Sequence, residues 1–169
     1  MSKTIVGIMG PGADATPQEQ DAAFELGKLV AGRGWILLTG GRDAGVMDAA
    51  SRGANAAGGL TVGILPTADT GGMSSWIDIP IVTGMGQARN NVNVLSSEVV
   101  FACGLGPGTA AEIALAVKAR KPVVMLCGQS EALNFFSSFG DSRVFKASGP
   151  EEAIEIASRF VTDEVEERV

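Results

Sequence analysis

The chain has 169 residues, 13 Lys plus Arg against 19 Asp plus Glu for a net charge of −6, and 46% hydrophobic residues. That length predicts one domain able to bury a core without disulfides or metals. Its 23 Gly stand beside no His and no Tyr, which excludes Ser-His-Asp and Cys-His catalysis and any zinc site with His ligands.

Lys3–Met9 is apolar and reads as a first strand, not a signal peptide. Thr16, Pro17 and Glu19 then supply an N-cap, a Pro at N1 and a Glu at N3, a capping box that starts a helix running to Ala31. Gly32 and Gly34 end it. Trp35–Thr39 is a second strand, Gly45–Ala57 a helix of small residues and Thr61–Leu65 a third strand. A polar loop spans Pro66–Trp76. Ile79–Thr83 is a short fourth strand whose Pro80 favours a sheet edge or a strand start. A helix over Arg89–Ser97 leads into a fifth strand, Val99–Cys103. Thr109–Arg120 is a helix and Pro122–Cys127 a sixth strand. Glu131–Phe139 reads as a short helix, Val144–Ala147 as a last strand, and Pro150–Val161 as a helix capped by Ser148. The charged tail Thr162–Val169 should fray.

Continuous apolar strands alternating with helices predict a parallel sheet covered on both faces. The fold class is therefore α/β: a single doubly wound Rossmann-like domain over residues 1–169 with a mostly parallel sheet of about six or seven strands.

The sequence pI is about 4.6 and no Lys/Arg cluster appears, which argues against a nucleic-acid partner. No run of 18 apolar residues exists to span a membrane. Cys103 and Cys127 each end an apolar run and read as reduced, buried thiols, which predicts a cytoplasmic setting.

Ten of the 23 glycines follow predicted strands: Gly10 and Gly12; Gly40, Gly41 and Gly45; Gly84 and Gly86; and Gly104, Gly106 and Gly108. In an open parallel sheet, ligands sit at the carboxyl ends of the strands. Glycine there lets backbone approach a ligand, and the next helix start offers free N–H groups to an anion. Four such strand ends predict one anion-binding rim.

No Walker A motif is present. Gly10–Ala15 matches G-x-G-x-x-A, but the second strand ends Leu38-Thr39-Gly40, with no acidic residue for a ribose hydroxyl. Thr109 and Glu112 have the spacing of a second capping box. The same spacing allows Glu112 to point into the cleft, where Arg89 opens another helix. Together they could bind a phosphate and hold a carboxylate ionised. In the loop, Met73 and Trp76 either close over a flat ring or pack on a neighbouring subunit. Phe135, Phe136 and Phe139 fall at helical spacing and read as core or interface.

The ordered set Gly40–Met47 (GGRDAGVM), Gly63–Pro66 (GILP), Arg89 and Gly106–Glu112 (GPGTAAE) resembles the LOG family, often labelled lysine decarboxylase-like. That family has a Rossmann-like fold and releases the base from nucleoside 5′-monophosphates as ribose 5-phosphate. The resemblance implies a phosphate on the Gly106–Thr109 turn, with Glu112 and Arg89 as the catalytic pair if the chain is a hydrolase. Several positions depart from the LOG pattern: Gly104-Leu105 replaces Pro-Gly, Asn90 replaces the Lys after the Arg, and Arg42 replaces the third Gly.

The T-G-G-R-x-x-G-V-M stretch with the A-R-N helix start and G-x-G-T-x-x-E turn is more similar to the molybdenum cofactor carrier branch of that family. This implies a non-catalytic protein that binds, protects and transfers the phosphate-bearing molybdopterin, with molybdoenzymes as recipients and a homo-oligomeric state, dimer or tetramer. The metal would be held by the cofactor's own dithiolene and not by protein ligands. The implied contacts are Gly10, Pro11, Gly40, Gly41, Gly45, Val46, Met47, Pro66, Thr67, Arg89, Asn90, Gly106, Pro107, Gly108, Thr109 and Glu112. A nucleotide-sensing module is the third reading.

Overall fold

The computed structural model describes residues 3–128, 130–139 and 143–161. The expected frayed tail, Thr162–Val169, lies outside them.

Seven parallel strands form the sheet: β1 (Ile5–Met9), β2 (Ile36–Thr39), β3 (Thr61–Leu65), β4 (Ile79–Val82), β5 (Val99–Cys103), β6 (Val123–Leu126) and β7 (Val144–Lys146). Their order is β4-β3-β2-β1-β5-β6-β7. The helices are α1 (Pro17–Gly32), α2 (Gly45–Ala56), α3 (Asn90–Leu95), α4 (Pro107–Lys118), α5 (Ser130–Ser137) and α6 (Pro150–Ala157). This is the expected doubly wound α/β domain.

The period of two along each strand divides the core. On β5, Val99, Phe101 and Cys103 face the layer of α1, α2 and α6, while Val100 and Ala102 face that of α3, α4 and α5. Both faces are apolar because helices cover both. β4 is the exposed edge strand, and Pro80 sits there without interrupting a second ladder.

Several boundaries differ from the sequence expectations. The helix expected over Arg89–Ser97 is a 3-10 turn, Gly86–Arg89, running into α3. Helix α4 starts at Pro107, with Gly106 as its N-cap, two residues before the expected Thr109. Helix α6 is capped by Gly149 rather than Ser148. Ser148 instead donates from its amide and hydroxyl to Glu152 Oε2, at 2.7 and 2.6 Å. Those bonds hold the Glu152 carboxyl below its usual range. Cys103 is buried as expected, but Cys127 is exposed, because the chain leaves β6 there with a left-handed φ of 53°.

Candidate functional site

Strand order reverses between β1 and β5, so the connections leaving these two neighbours diverge and open a crevice at their carboxyl ends. A cleft of about 470 Å³ lies there, within the usual range for small-molecule sites. Three expected glycine-bearing strand ends meet in it: Gly10 and Gly12 after β1, Gly40 after β2, and Gly106 and Gly108 after β5. Gly84 and Gly86 after β4 do not line it; the residues that follow them, Gln87 and Arg89, do.

The turns are locked to one another by backbone. Val46 N donates to Pro11 O at 3.0 Å, which ties the start of α2 to the turn after β1. Gly45 has φ +51°, and a side chain there would meet the carbonyls of Pro11 and Gly12. Gly104 has φ +82° and packs directly on the Glu19 carboxylate. Glu19 Oε2 in turn accepts the Thr16 amide at 2.8 Å, so the α1 capping box also forms one wall of the cleft.

Of the expected contacts, Gly10, Pro11, Gly40, Met47, Arg89, Asn90, Gly106, Pro107, Gly108, Thr109 and Glu112 line the cleft. Gly41, Gly45, Val46, Pro66 and Thr67 do not. Gly41 is buried against Gly63 and Leu65, and Val46 is fully buried under the β1 turn. Pro66 and Thr67 accept the amides of Gly86 and Gly84 through their carbonyls, and the Thr67 hydroxyl bonds Asp69 O at 2.7 Å. These five shape the rim without reaching its interior. The loop carrying Met73 and Trp76, expected either to close over a ligand or to pack on a neighbouring subunit, is docked on the turn after β2 through Ser74 N to Gly41 O at 2.9 Å and on α2 through Ser74 Oγ to Asp48 Oδ1 at 2.7 Å. Neither Met73 nor Trp76 lines the cleft.

Arg89 is 6% exposed and is held by three carbonyls. Its Nε donates to Ile64 O at 2.8 Å, Nη1 to Gly86 O at 3.3 Å and Nη2 to Gly40 O at 3.5 Å. Five N–H donors less three leave two for a ligand. Burial lowers its pKa, Glu112 opposes that shift, and nearby Arg42 adds to it.

Glu112 lies one turn along α4 from Thr109, on the same helix face. It is 7% exposed, and its Oε1 accepts Asn93 Nδ2 at 2.9 Å. Burial pushes its carboxyl up, and the Asn93 bond and Arg89 only partly offset this. The capping box expected of Thr109 and Glu112 is absent: the carboxylate turns to α3, and the Thr109 hydroxyl is buried with no partner. α4 carries no side-chain cap, which leaves the Gly108 and Thr109 amides at its start free for an anion.

Sequence reasoning missed Asn93, Arg42, Gln87, Asp14, Thr16 and Glu19. Asn93 had a signal, since it lies four residues after Arg89 and so shares its helical face. Among the described residues no group of three or more His, Cys, Asp or Glu could hold a metal ion.

Fold and cleft together define a Rossmann-like α/β protein with a glycine-rimmed cleft at its switch point. The chain belongs to the SLOG cluster4 family, whose model matches residues 3–154. It is 51% identical to a molybdenum cofactor binding protein of the phototrophic bacterium Rippkaea orientalis, with a TM-score of 0.93 over 96% of this chain and 99% of that one. It is 53% identical to the molybdenum cofactor carrier protein of Chlamydomonas reinhardtii, with a TM-score of 0.88 over 94% and 98%. The LOG resemblance is also present: 46 residues are 46% identical to a cytokinin riboside 5′-monophosphate phosphoribohydrolase of Mycobacterium tuberculosis, covering 27% of this chain and 25% of that protein.

Proposed function

We propose that this protein binds the molybdenum cofactor in the switch-point cleft, protects it and passes it to molybdoenzymes without catalysing a reaction on it. The observation that carries this reading is the buried, unpartnered Thr109 hydroxyl beside the uncapped start of α4. A buried hydroxyl without a partner costs about 1–3 kcal/mol, and a phosphate oxygen there would remove that cost. The Gly108 and Thr109 amides and the helix dipole favour the same group. Pro107 has no N–H, so those two amides are the first donors on this helix.

The cofactor is cargo in this reading. Its phosphate monoester takes the α4 turn, and its anionic metal head lies toward Arg42 and the two remaining Arg89 donors. The similarity to carrier and cofactor-binding proteins over almost the whole chain supports this assignment. The apolar edge formed by Ile79, Ile81 and Val82, continued by Met85, supports self-association into a dimer or tetramer. Two free cysteines suit a reducing cytoplasm.

A LOG-type phosphoribohydrolase is the second reading, because Arg89 and Glu112 both line the cleft. Two observations weigh against it. Three of the five Arg89 donors are committed to backbone carbonyls, and burial pushes the Glu112 carboxyl upward, in the direction of the neutral acid, which stabilises an oxocarbenium-like centre poorly. Incubation with AMP tests the choice. We expect no free adenine or ribose 5-phosphate above background. Robust turnover that disappears in Glu112→Gln would overturn the carrier reading, and AMP bound intact would favour a nucleotide-sensing module.

A further inference from the structure

The Asn93–Glu112 pair joins α3 to α4, and both residues are almost fully buried. Asn93 is 1% exposed on α3; its backbone carbonyl accepts the Ser97 hydroxyl at 2.8 Å, and its side-chain Oδ1 is buried with no partner. Its Nδ2 donates to Glu112 Oε1 at 2.9 Å. Glu112 Oε2 has no partner among the described residues and is not one of the sealed polar atoms, so it is the oxygen open to the cleft.

The Asn93 amide N–H holds Oε1 as an acceptor. The C=O oxygen of a carboxylic acid is its better acceptor, so the Asn93 bond to Oε1 favours placing any proton that Glu112 takes up on Oε2, the oxygen that meets the ligand. Thr109 and Glu112 are three residues apart on one helix, which places their Cβ atoms about 5–6 Å apart. An anion on Thr109 Oγ1 and the free α4 amides thus comes within reach of Oε2. An ionised Glu112 would repel it; a protonated one would donate to it.

The other charged groups around the site act in both directions. Arg89, from the turn before α3, gives three of its five N–H groups to carbonyls but keeps its charge, which favours ionised Glu112, and Arg42 faces the cleft from the loop after β2. Asp14, in the turn before α1, and Glu19, in its first turn, line the wall and add negative charge. α3 brings Asn93 and no titratable group. Among the described residues Glu112 has no ion pair within 4.0 Å.

We propose that Glu112 takes up one proton when an anion binds at the start of α4, and that Asn93 positions that proton on Oε2, from which it donates to the anion. The proton comes from solvent on loading and returns to solvent on release, so ligand retention weakens as pH rises. This rests on the anion site proposed above. The upward push that burial gives Glu112 is in the same sense.

Sulfate is the probe, because it stays a dianion across the neutral range and any proton uptake then belongs to the protein. Titration calorimetry of the intact protein in two buffers of different ionisation heat gives the proton count. The wild type should take up close to one proton per sulfate at the alkaline end. Its affinity should fall about tenfold per pH unit there. Glu112→Gln, whose amide N–H replaces the acid O–H, should take up none and show a flat pH profile. Asn93→Ala should move the midpoint to higher pH, because it removes a bond that favours the ionised form, a shift that a purely structural role would not produce. Sulfate binding without proton uptake, or a pH slope that survives in Glu112→Gln, overturns the proposal and leaves the anion site standing. No sulfate binding to the wild type overturns the anion site and the proposal together.

Discussion

Replacing Thr109 by Val should move stability and binding in opposite directions. Thr109 is 2% exposed, and its Oγ1 has no hydrogen-bond partner. An orphaned buried hydroxyl costs about 1–3 kcal/mol. Valine keeps the shape and β-branching of threonine and removes the polar atom, so Thr109→Val should gain about that amount. For a domain of this size, 1 kcal/mol corresponds to about 2–4 °C in Tm. The same hydroxyl is the proposed partner of an anion, and a hydrogen bond to a charged group contributes about 1.5–3 kcal/mol. Phosphate affinity should therefore drop roughly ten- to hundredfold. Thermal melts and a phosphate titration of both proteins check the two halves. A lower Tm would show that the hydroxyl has a structural partner. An unchanged phosphate affinity would remove Thr109 from the site.

Glu112→Gln should stabilise the protein at neutral pH. Burial raises the Glu112 pKa above its unfolded value, so folding favours the acid form more than the unfolded chain does. Its contribution is complete below the unfolded carboxylate range and is lost as pH rises through the folded pKa. Melts over a pH series should show this loss in the wild type and not in the variant; equal slopes would contradict it. Gly108→Val should leave the fold intact, since a Cβ there meets open space, and should abolish phosphate binding by filling the mouth of the α4 turn. Binding that persists would move the anion elsewhere. Gly45→Ala should behave in the opposite way and lower Tm, because a positive φ and the Pro11 and Gly12 carbonyls both resist a side chain. The strain alone costs about 1–3 kcal/mol, and a Tm within error of wild type would refute it.

Features set by a short stretch of chain were legible in the sequence. The apolar runs give the parallel strands, and Thr16 with Glu19 gives a capping box that is present in both directions. Gly10, Gly40, Gly106 and Gly108 mark strand ends that do meet in one cleft. Features that depend on which helices pack together were not legible. Thr109 and Glu112 have capping-box spacing, but the pattern is silent on Asn93, which draws the carboxylate away to α3. Pro107 after Gly106 was the better helix-start signal, since Pro suits N1 and cannot use an N–H there. Arg89 was found as a residue but not in its role: the carbonyls of Ile64 and Gly40 that hold it belong to strands far away in sequence. Pro66 and Thr67 follow β3 as a ligand-binding loop would, yet their hydrogen bonds go to the turn after β4. Cys127 was expected to be buried, but a single left-handed residue at the end of β6 turns it outward.

The most direct measurement is the metal and pterin content of the protein purified from cells that make the molybdenum cofactor. Carrier function predicts molybdenum and a fluorescent oxidised pterin in equal amounts, both lost in Gly108→Val while the fold is retained. Wild-type protein that carries neither, and cannot be loaded with the cofactor in vitro, would contradict it.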